Sequence, residues 1–336
     1  MIASRFLRWL AATTDPDGYD PARHGLLPVL TADELRRVAA SAEAHGLLPV
    51  FARTITAMAN EPRAPEALAV LQGEIAPRVV AVTSYNMLLA SHGRRLEAAL
   101  KDAGIPAVLV KGVDLSERAY GGHGRTYSDI DLLVPPRDLE RASALVVEAG
   151  YAAVPAAGKR IDYTERQFLG APPTKVLVEL LTNLVHAPEL RARVSLDRDA
   201  YLDGADAAGR ASPEALLELA AVHGAASHLF DRLQQVTDVA MVARGHAGGI
   251  DIATLSARLE RSGARLFALV GLSLAAGVYG CRASEGLLRA LKPTLGERAA
   301  SAMISPRGVM QATSDSRWQH SWRRRLFRGA FARGLI

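Results

Sequence analysis

One cysteine, Cys281, stands in 336 residues, which excludes disulfides within the chain and zinc sites built from several thiolates. Aromatic residues are scarce at 5%, while Ala, Leu and Arg abound, a balance that favours helices. No Gly-x-Gly-x-x-Gly follows a strand pattern and no Walker-type Gly-Lys-Ser/Thr occurs, so neither the dinucleotide-binding fingerprint nor the P-loop applies. Long apolar runs are missing too. Leu266 to Gly280 falls short of the roughly 20 residues that span a bilayer and reads as a buried core helix. Arg5 and Arg8 interrupt the apolar run from Met1 to Leu10, which argues against a signal peptide. The expectation is a cytoplasmic protein with no transmembrane segment. What is present is apolar mass: 49% hydrophobic residues, enough for one large or two modest domains.

The net charge of +5 is unevenly placed. Residues 301 to 336 carry seven arginines and one acid, Asp315. That segment is +6, so the remainder is −1. The run Trp322-Arg323-Arg324-Arg325-Leu326-Phe327-Arg328 has the composition of a nucleic-acid or anionic-surface patch. The favoured reading is plainer: a terminal helix laying its arginines over the domain. A nucleic-acid partner is therefore disfavoured, and the sequence is silent on oligomeric state.

Four regions follow from the patterning. Residues 1–100 read as helical. Thr31-Ala32-Asp33-Glu34 opens one helix with a capping pattern, and Arg78 to Leu100 forms a long one. The hexapeptide His-Gly-Leu-Leu-Pro-Val occurs at 24–29 and 45–50, each copy a helix stop followed by Pro. Residues 101–185 form a strand-rich α/β core. Residues 186–305 return to helix, with Ser212-Pro213-Glu214 as a start signal, and 306–336 form the basic tail. Pro155 to Gly158 and Asp203 to Ala211 read as loops. The fold class expected is α+β, a small mixed sheet flanked by N- and C-terminal helical regions.

The core holds the most informative stretch, Ser128-Asp129-Ile130-Asp131-Leu132-Leu133-Val134. In a strand, Asp129 and Asp131 share one face while Ile130 and Leu132 take the other, toward the core. Two buried acids on one face repel and lose hydration, a cost that a divalent cation between them removes. Oxygen ligands without nearby Cys or His favour Mg²⁺ or Mn²⁺ over zinc. A solvated acidic strand end explains Asp-x-Asp alone equally well. Upstream, Ile105 to Val110 is an apolar strand ending in Lys111-Gly112. A short helix over Val113 to Tyr120 and the loop Gly121-Gly122-His123-Gly124-Arg125 follow. Downstream, Pro135-Pro136 stops the strand, Asp138 caps a helix to about Glu148, and Gly150 ends it.

This order resembles the polymerase-β-like nucleotidyltransferase superfamily. More narrowly, it resembles a bacterial family of uncharacterised nucleotidyltransferases, through Ala103-Gly104-Ile105-Pro106, Lys111-Gly112, Tyr120, Arg125, Ser128 to Val134, Asp138, Ala142, Leu145 and Gly150-Tyr151. The resemblance runs from about Ser84 to Asn183. It implies a third carboxylate on an adjacent strand, for which Glu179 in Lys175 to Leu181 is the candidate, with Arg160 to Phe168 pairing as a hairpin. An acid guarding a sheet edge is the plainer reading of Glu179. Two departures stand out. Leu180-Leu181-Thr182 replaces the family's usual Leu-His-Trp, and Gly112 precedes Val113-Asp114 instead of a serine, with sixteen residues before Asp129.

The resemblance implies roles. Asp129, Asp131 and Glu179 hold two metal ions, Mg²⁺ or Mn²⁺, that stabilise the attacking and leaving oxygens of an in-line displacement, and Glu179 eases removal of the acceptor's proton. Gly112 admits backbone N–H groups to phosphate. Lys111 and Arg125 neutralise phosphate charge, and Ser128 orients the metal ligands. The expected reaction moves a nucleoside monophosphate from an NTP, ATP foremost, to a small-molecule, sugar or peptide acceptor in a biosynthetic pathway, releasing pyrophosphate. The alternatives are a catalytically degenerate binding protein and an RNA- or protein-modifying enzyme of toxin type. Gln234, Gln235 and Asp238 are expected to border the nucleotide pocket, and His123 to lie on a loop surface. His223 and His228, about 140° apart on an α-helix, suit a shared metal poorly and read as packed or exposed helical histidines.

Overall fold

The computed structural model describes residues 5–122, 124–155, 165–202, 210–311 and 322–336. His123, residues 156–164 and residues 203–209 lie outside the described residues, and with them most of both expected loops and the start of the expected hairpin strand.

Among the described residues five short strands form one mixed sheet: β1 (Val108–Val110), β2 (Asp129–Leu133), β3 (Tyr151–Ala153), β4 (Glu165–Gly170) and β5 (Leu177–Leu181), in the order β1-β2-β5-β4-β3. Only β2 and β5 run parallel; β1–β2, β4–β5 and β3–β4 are antiparallel. The α+β class expected from the sequence is the observed one. Side chains alternate across the sheet. Leu109, Ile130, Leu132, Val178, Leu180 and Phe168 form one face, packed with Leu89, Leu96 and Leu100 and with Ala142 and Val146. Val108, Val110, Leu133 and Leu181 form the other, in a second core shared by helices from both ends of the chain, Leu7 and Phe51 through Phe267 and Phe331.

The helix expected from Arg78 lies within a 37-residue helix, Glu66–Asp102, that carries Pro77 in its interior. Pro77 removes one hydrogen bond; the buried residues on either side of it, Leu68, Leu71, Ile75 and Leu89, carry the helix past it. Thr31 caps the Ala32–Ala44 helix through a reciprocal box, Glu34 N donating to Thr31 Oγ1 at 3.2 Å and Thr31 N to Glu34 Oε2 at 2.8 Å. Ser212 accepts from Ala215 N at 3.2 Å to start Pro213–Val222. Each His-Gly-Leu-Leu-Pro-Val copy follows a helix end, with Gly25 at φ 70° and Gly46 at φ 73°. In the second copy Pro49 also enters the first turn of the next helix, Leu48–Ala59.

One expectation is corrected. Asp138 makes no side-chain cap. A 3₁₀ turn, Pro136–Asp138, precedes the Leu139–Glu148 helix, and the Asp138 carboxylate instead accepts from Arg141 Nη1 at 2.9 Å. The apolar run near residue 270 is the buried helix Arg265–Tyr279, and among the described residues no helix is long and apolar enough to cross a membrane. The tail forms a helix, Trp322–Arg333, that docks Phe327 and Phe331 on Phe267 at ring-centroid distances of 6.3 and 4.4 Å.

Candidate active site

The parallel pairing of β2 with β5 sets Asp131 opposite Glu179, and the antiparallel pairing of β5 with β4 sets Glu179 opposite Gln167. Paired residues share a face, so Val110, Asp131, Glu179 and Gln167 form one row across four strands, with Asp129 two residues along. Glu179 therefore sits on an interior strand, between β2 and β4, and not on a guarded edge. This row opens into a cleft of about 1290 Å³. Its walls come from the long N-terminal helix (Tyr85, Asn86), from the sheet, and from the C-terminal helices (His223, Gln234). Asp129, Asp131, Glu179, Lys111, Gly112, Arg125 and Ser128 all line it.

Crowding of buried acids shows in their proton affinities. Burial first, then the charges of Asp131 and Glu179, push the Asp129 carboxyl up to about 7, against the pull of Lys111 and Arg125. Burial and Asp131 likewise raise Glu179. Two protein donors answer the row. Gln167 Nε2 donates to Glu179 Oε1 at 2.8 Å. The Lys111 ammonium donates to Asp131 Oδ1 at 2.8 Å and to His186 Nε2 at 2.6 Å. Since an ammonium only donates, His186 Nε2 must accept, which leaves the ring proton on Nδ1. That N–H donates to Glu165 Oε2 at 2.9 Å. His186, Glu165 and Gln167 escaped the sequence reading, because each joins the site through pairings across the fold. Glu165 standing one turn of the strand alternation from Gln167 was the available signal.

Lys111 itself reaches the row by an unusual backbone, φ 55° and ψ −108°, at the junction of β1 and the Gly112–Tyr120 helix. Gly112 is tight against Tyr127: a Cβ there would stand 3.0 Å from the Tyr127 Cβ and Cγ. Packing against Tyr127 therefore favours glycine at this position.

Arg125 is turned into the protein. Its Nε and Nη2 donate to Asp238 Oδ1 and Oδ2 at 2.9 and 3.0 Å, and Tyr120 Oη donates to Asp238 Oδ1 at 2.8 Å. All three are buried. Asn86 Nδ2 donates to the Arg125 carbonyl at 2.7 Å, and Gln234 Nε2 to the Thr126 carbonyl at 2.7 Å. Thr126 Oγ1 donates to Gly46 O at 2.7 Å. The loop that leads into Asp129 is thus clamped from the N-terminal helices, the second hexapeptide copy and the C-terminal helices. Ser128, next in line, is exposed in the cleft.

His223 and His228 depart from the expected geometry. Residues His223–Ser227 wind as a π-helix, whose wider turn brings i and i+5 together. The rings meet edge to face, centroids 4.8 Å apart, and both line the cleft. Burial, His228, Lys111, Arg125 and His186 hold His223 well below the usual imidazole range.

Among the described residues no group of three or more His, Cys, Asp or Glu side chains stands ready as a metal site; Lys111 and Gln167 engage two of the three carboxylates. The donor set nonetheless fits a hard divalent cation. It is all carboxylate oxygen, and after burial it is the neighbouring carboxylates that raise the Asp129 and Glu179 affinities, a repulsion that a cation would offset.

A mixed sheet carrying Asp-x-Asp on one strand and an acid in register on its parallel neighbour agrees with a nucleotidyltransferase domain. Residues 31–280 match the family described as uncharacterised nucleotidyltransferase, 250 of 336 positions, and the chain belongs to that family. No curated protein matches it.

Proposed function

We propose that the protein is a metal-dependent nucleotidyltransferase that moves a nucleoside monophosphate from an NTP, ATP foremost, to a hydroxyl, amine or phosphate of a small-molecule, sugar or peptide acceptor in a biosynthetic pathway. The observation that carries this reading is the register that aligns Asp131 with Glu179, with Asp129 on the same face of the same cleft. Asp129, Asp131 and Glu179 are the residues that would hold Mg²⁺ or Mn²⁺. Such ions, when bound, supply charge neutralisation at the attacking and leaving oxygens of the displacement.

The chain's own groups supply the rest. Lys111, at the start of the Gly112–Tyr120 helix, brings positive charge to the phosphates, and the first N–H groups of that helix point the same way. Arg125, locked on Asp238, acts as a fixed positive charge beneath Asp129, and Ser128 offers a hydroxyl beside it. The acceptor's oxygen or nitrogen bonds to the α-phosphorus as the bond to the bridging oxygen breaks and pyrophosphate leaves. Glu179, whose proton affinity burial raises, is the group suited to take the acceptor's proton. The cleft, at about 1290 Å³, exceeds the roughly 300–1,000 Å³ of ordinary ligand pockets, which leaves room for two substrates.

One observation favours a second reading, a nucleotide-binding protein without turnover: Asp131 and Glu179 already have protein partners. Pyrophosphate release separates the two. With Mg²⁺, each NTP and a panel of acceptors, the wild type is expected to release pyrophosphate, and Asp131→Asn to lower the rate by about 10²-fold or more. Equal rates in the two proteins would dismiss the enzyme reading, and binding of NTP without release in any mixture would favour the second.

A further inference from the structure

We propose that Lys111 is a resident counter-ion, seated on Asp131 while no divalent cation is bound and passed to the His186–Glu165 pair when one binds. The inference rests on the reading of the acid row as a cation site. It goes beyond that reading by assigning a task to two residues outside the row.

Strand alternation would send the side chain after Val110 to the sheet face opposite Asp131. The left-handed φ of 55° at Lys111 returns it to the acid face. A non-glycine residue keeps such a backbone only where its surroundings over-determine it, and here the surroundings are charge. Lys111 is buried, 5% exposed, with Nζ 2.8 Å from Asp131 Oδ1. A second cation cannot approach that oxygen closely while the ammonium holds it, since like charges at such separations in a poorly solvated site repel strongly.

Removing Lys111 from Asp131 would ordinarily leave a buried charge unpaired, which is costly. His186 removes that obstacle. Its Nε2 already accepts from Nζ at 2.6 Å, and Glu165, accepting from Nδ1 at 2.9 Å, fixes the tautomer that makes Nε2 an acceptor. Lys111 thus has two acceptors, Asp131 inside the acid row and His186 outside it. A cation entering the row shifts the balance to the outer one without exposing the ammonium to an empty apolar wall.

The test measures Mn²⁺ binding to the full chain without nucleotide, by titration calorimetry and by the electron paramagnetic resonance signal of free Mn²⁺. Lys111→Met should bind Mn²⁺ on the order of tenfold more tightly than wild type, because the competitor is gone. Lys111→Gln gives the same reading should the Met variant fail to fold. His186→Ala should bind several-fold more weakly, because the ammonium is left with Asp131 alone. The two variants must move in opposite directions; general damage to the site would weaken both. Unchanged or weaker binding in Lys111→Met overturns the proposal. If wild type and Lys111→Met bind Mn²⁺ alike, this proposal falls and the cation reading stands; if neither binds, both fall.

Discussion

Replacing Asp129 with Asn should stabilise the cation-free protein, and by an amount that depends on pH. The Asp129 carboxyl is raised from 3.8 to about 7, first by burial and then by Asp131 and Glu179. Between those values the folded protein keeps a proton that the unfolded chain has released. Folding stability therefore falls as pH rises through this window, and the full cost is in place above about pH 7. A shift of about three units at 1.36 kcal/mol each gives a ceiling of roughly 4 kcal/mol; sharing of charge among three coupled acids lowers the expectation to about 2–4 kcal/mol. Asn keeps the shape and removes the ionisation. In EDTA, the melting temperatures of wild type and Asp129→Asn should be close near pH 4.5 and separate by roughly 3–6 °C at pH 8, with the variant higher, since a chain of 336 residues has an unfolding entropy of about 0.7 kcal/mol/K. Differential scanning calorimetry across pH 4.5–8.5 reads this directly. Parallel curves, or a variant less stable at pH 8, would refute the claim that the acid row is electrostatically strained. The same substitution should cost activity, so gain of stability and loss of turnover would appear together.

Two further perturbations test what holds the site in place. Asp238→Ala leaves the buried Arg125 guanidinium and the Tyr120 hydroxyl without their acceptor, a break expected to cost about 3–5 kcal/mol; a fall in melting temperature of less than about 3 °C would show that the clamp is dispensable. Phe327→Ala empties a fully buried position against Phe267, which typically costs about 3–5 kcal/mol. Limited trypsin digestion should then cut the arginine cluster near residue 324 faster than in wild type, and an unchanged cleavage rate would mean that the tail helix is held by other contacts.

Much of the core was legible because its signals are local. Alternation placed Asp129 and Asp131 on one face, and the Thr31 and Ser212 caps announced their helices. The resemblance supplied Glu179 as a third acid on a neighbouring strand, yet only the coordinates show the parallel register that aligns it with Asp131. What stayed hidden depends on distant partners or on unusual winding. Arg125 and Asp238 are 113 residues apart, so nothing near Arg125 announces that it clamps a loop. Glu165 reads as one polar residue in a strand until His186, after the sheet, folds back to it. His223 and His228 were separated on paper by the 3.6-residue turn, and a π-helical segment closes the gap. Asp138 looked like a cap, but the prolines before it form a 3₁₀ turn that carries its carboxylate to Arg141.

The helical flanks contribute to the chemistry as much as the sheet does. A five-stranded sheet with three acids crowded on one face is poorly suited to stand alone, since that face needs cover and the acids need fixed positive charge nearby. The N-terminal helices give Asn86 and the Gly46 carbonyl to the loop before Asp129. The C-terminal helices give Asp238 and Gln234 to the same loop, and His223 and His228 to the far wall of the cleft. The docked tail adds Arg328, which lines the cleft while paired with Glu189. Because the single core that covers this face of the sheet draws on residues from Leu7 to Phe331, loosening either flank should slacken the loop that aims Asp129. Substitutions far from the acid row in sequence can therefore disturb its geometry as much as substitutions within it.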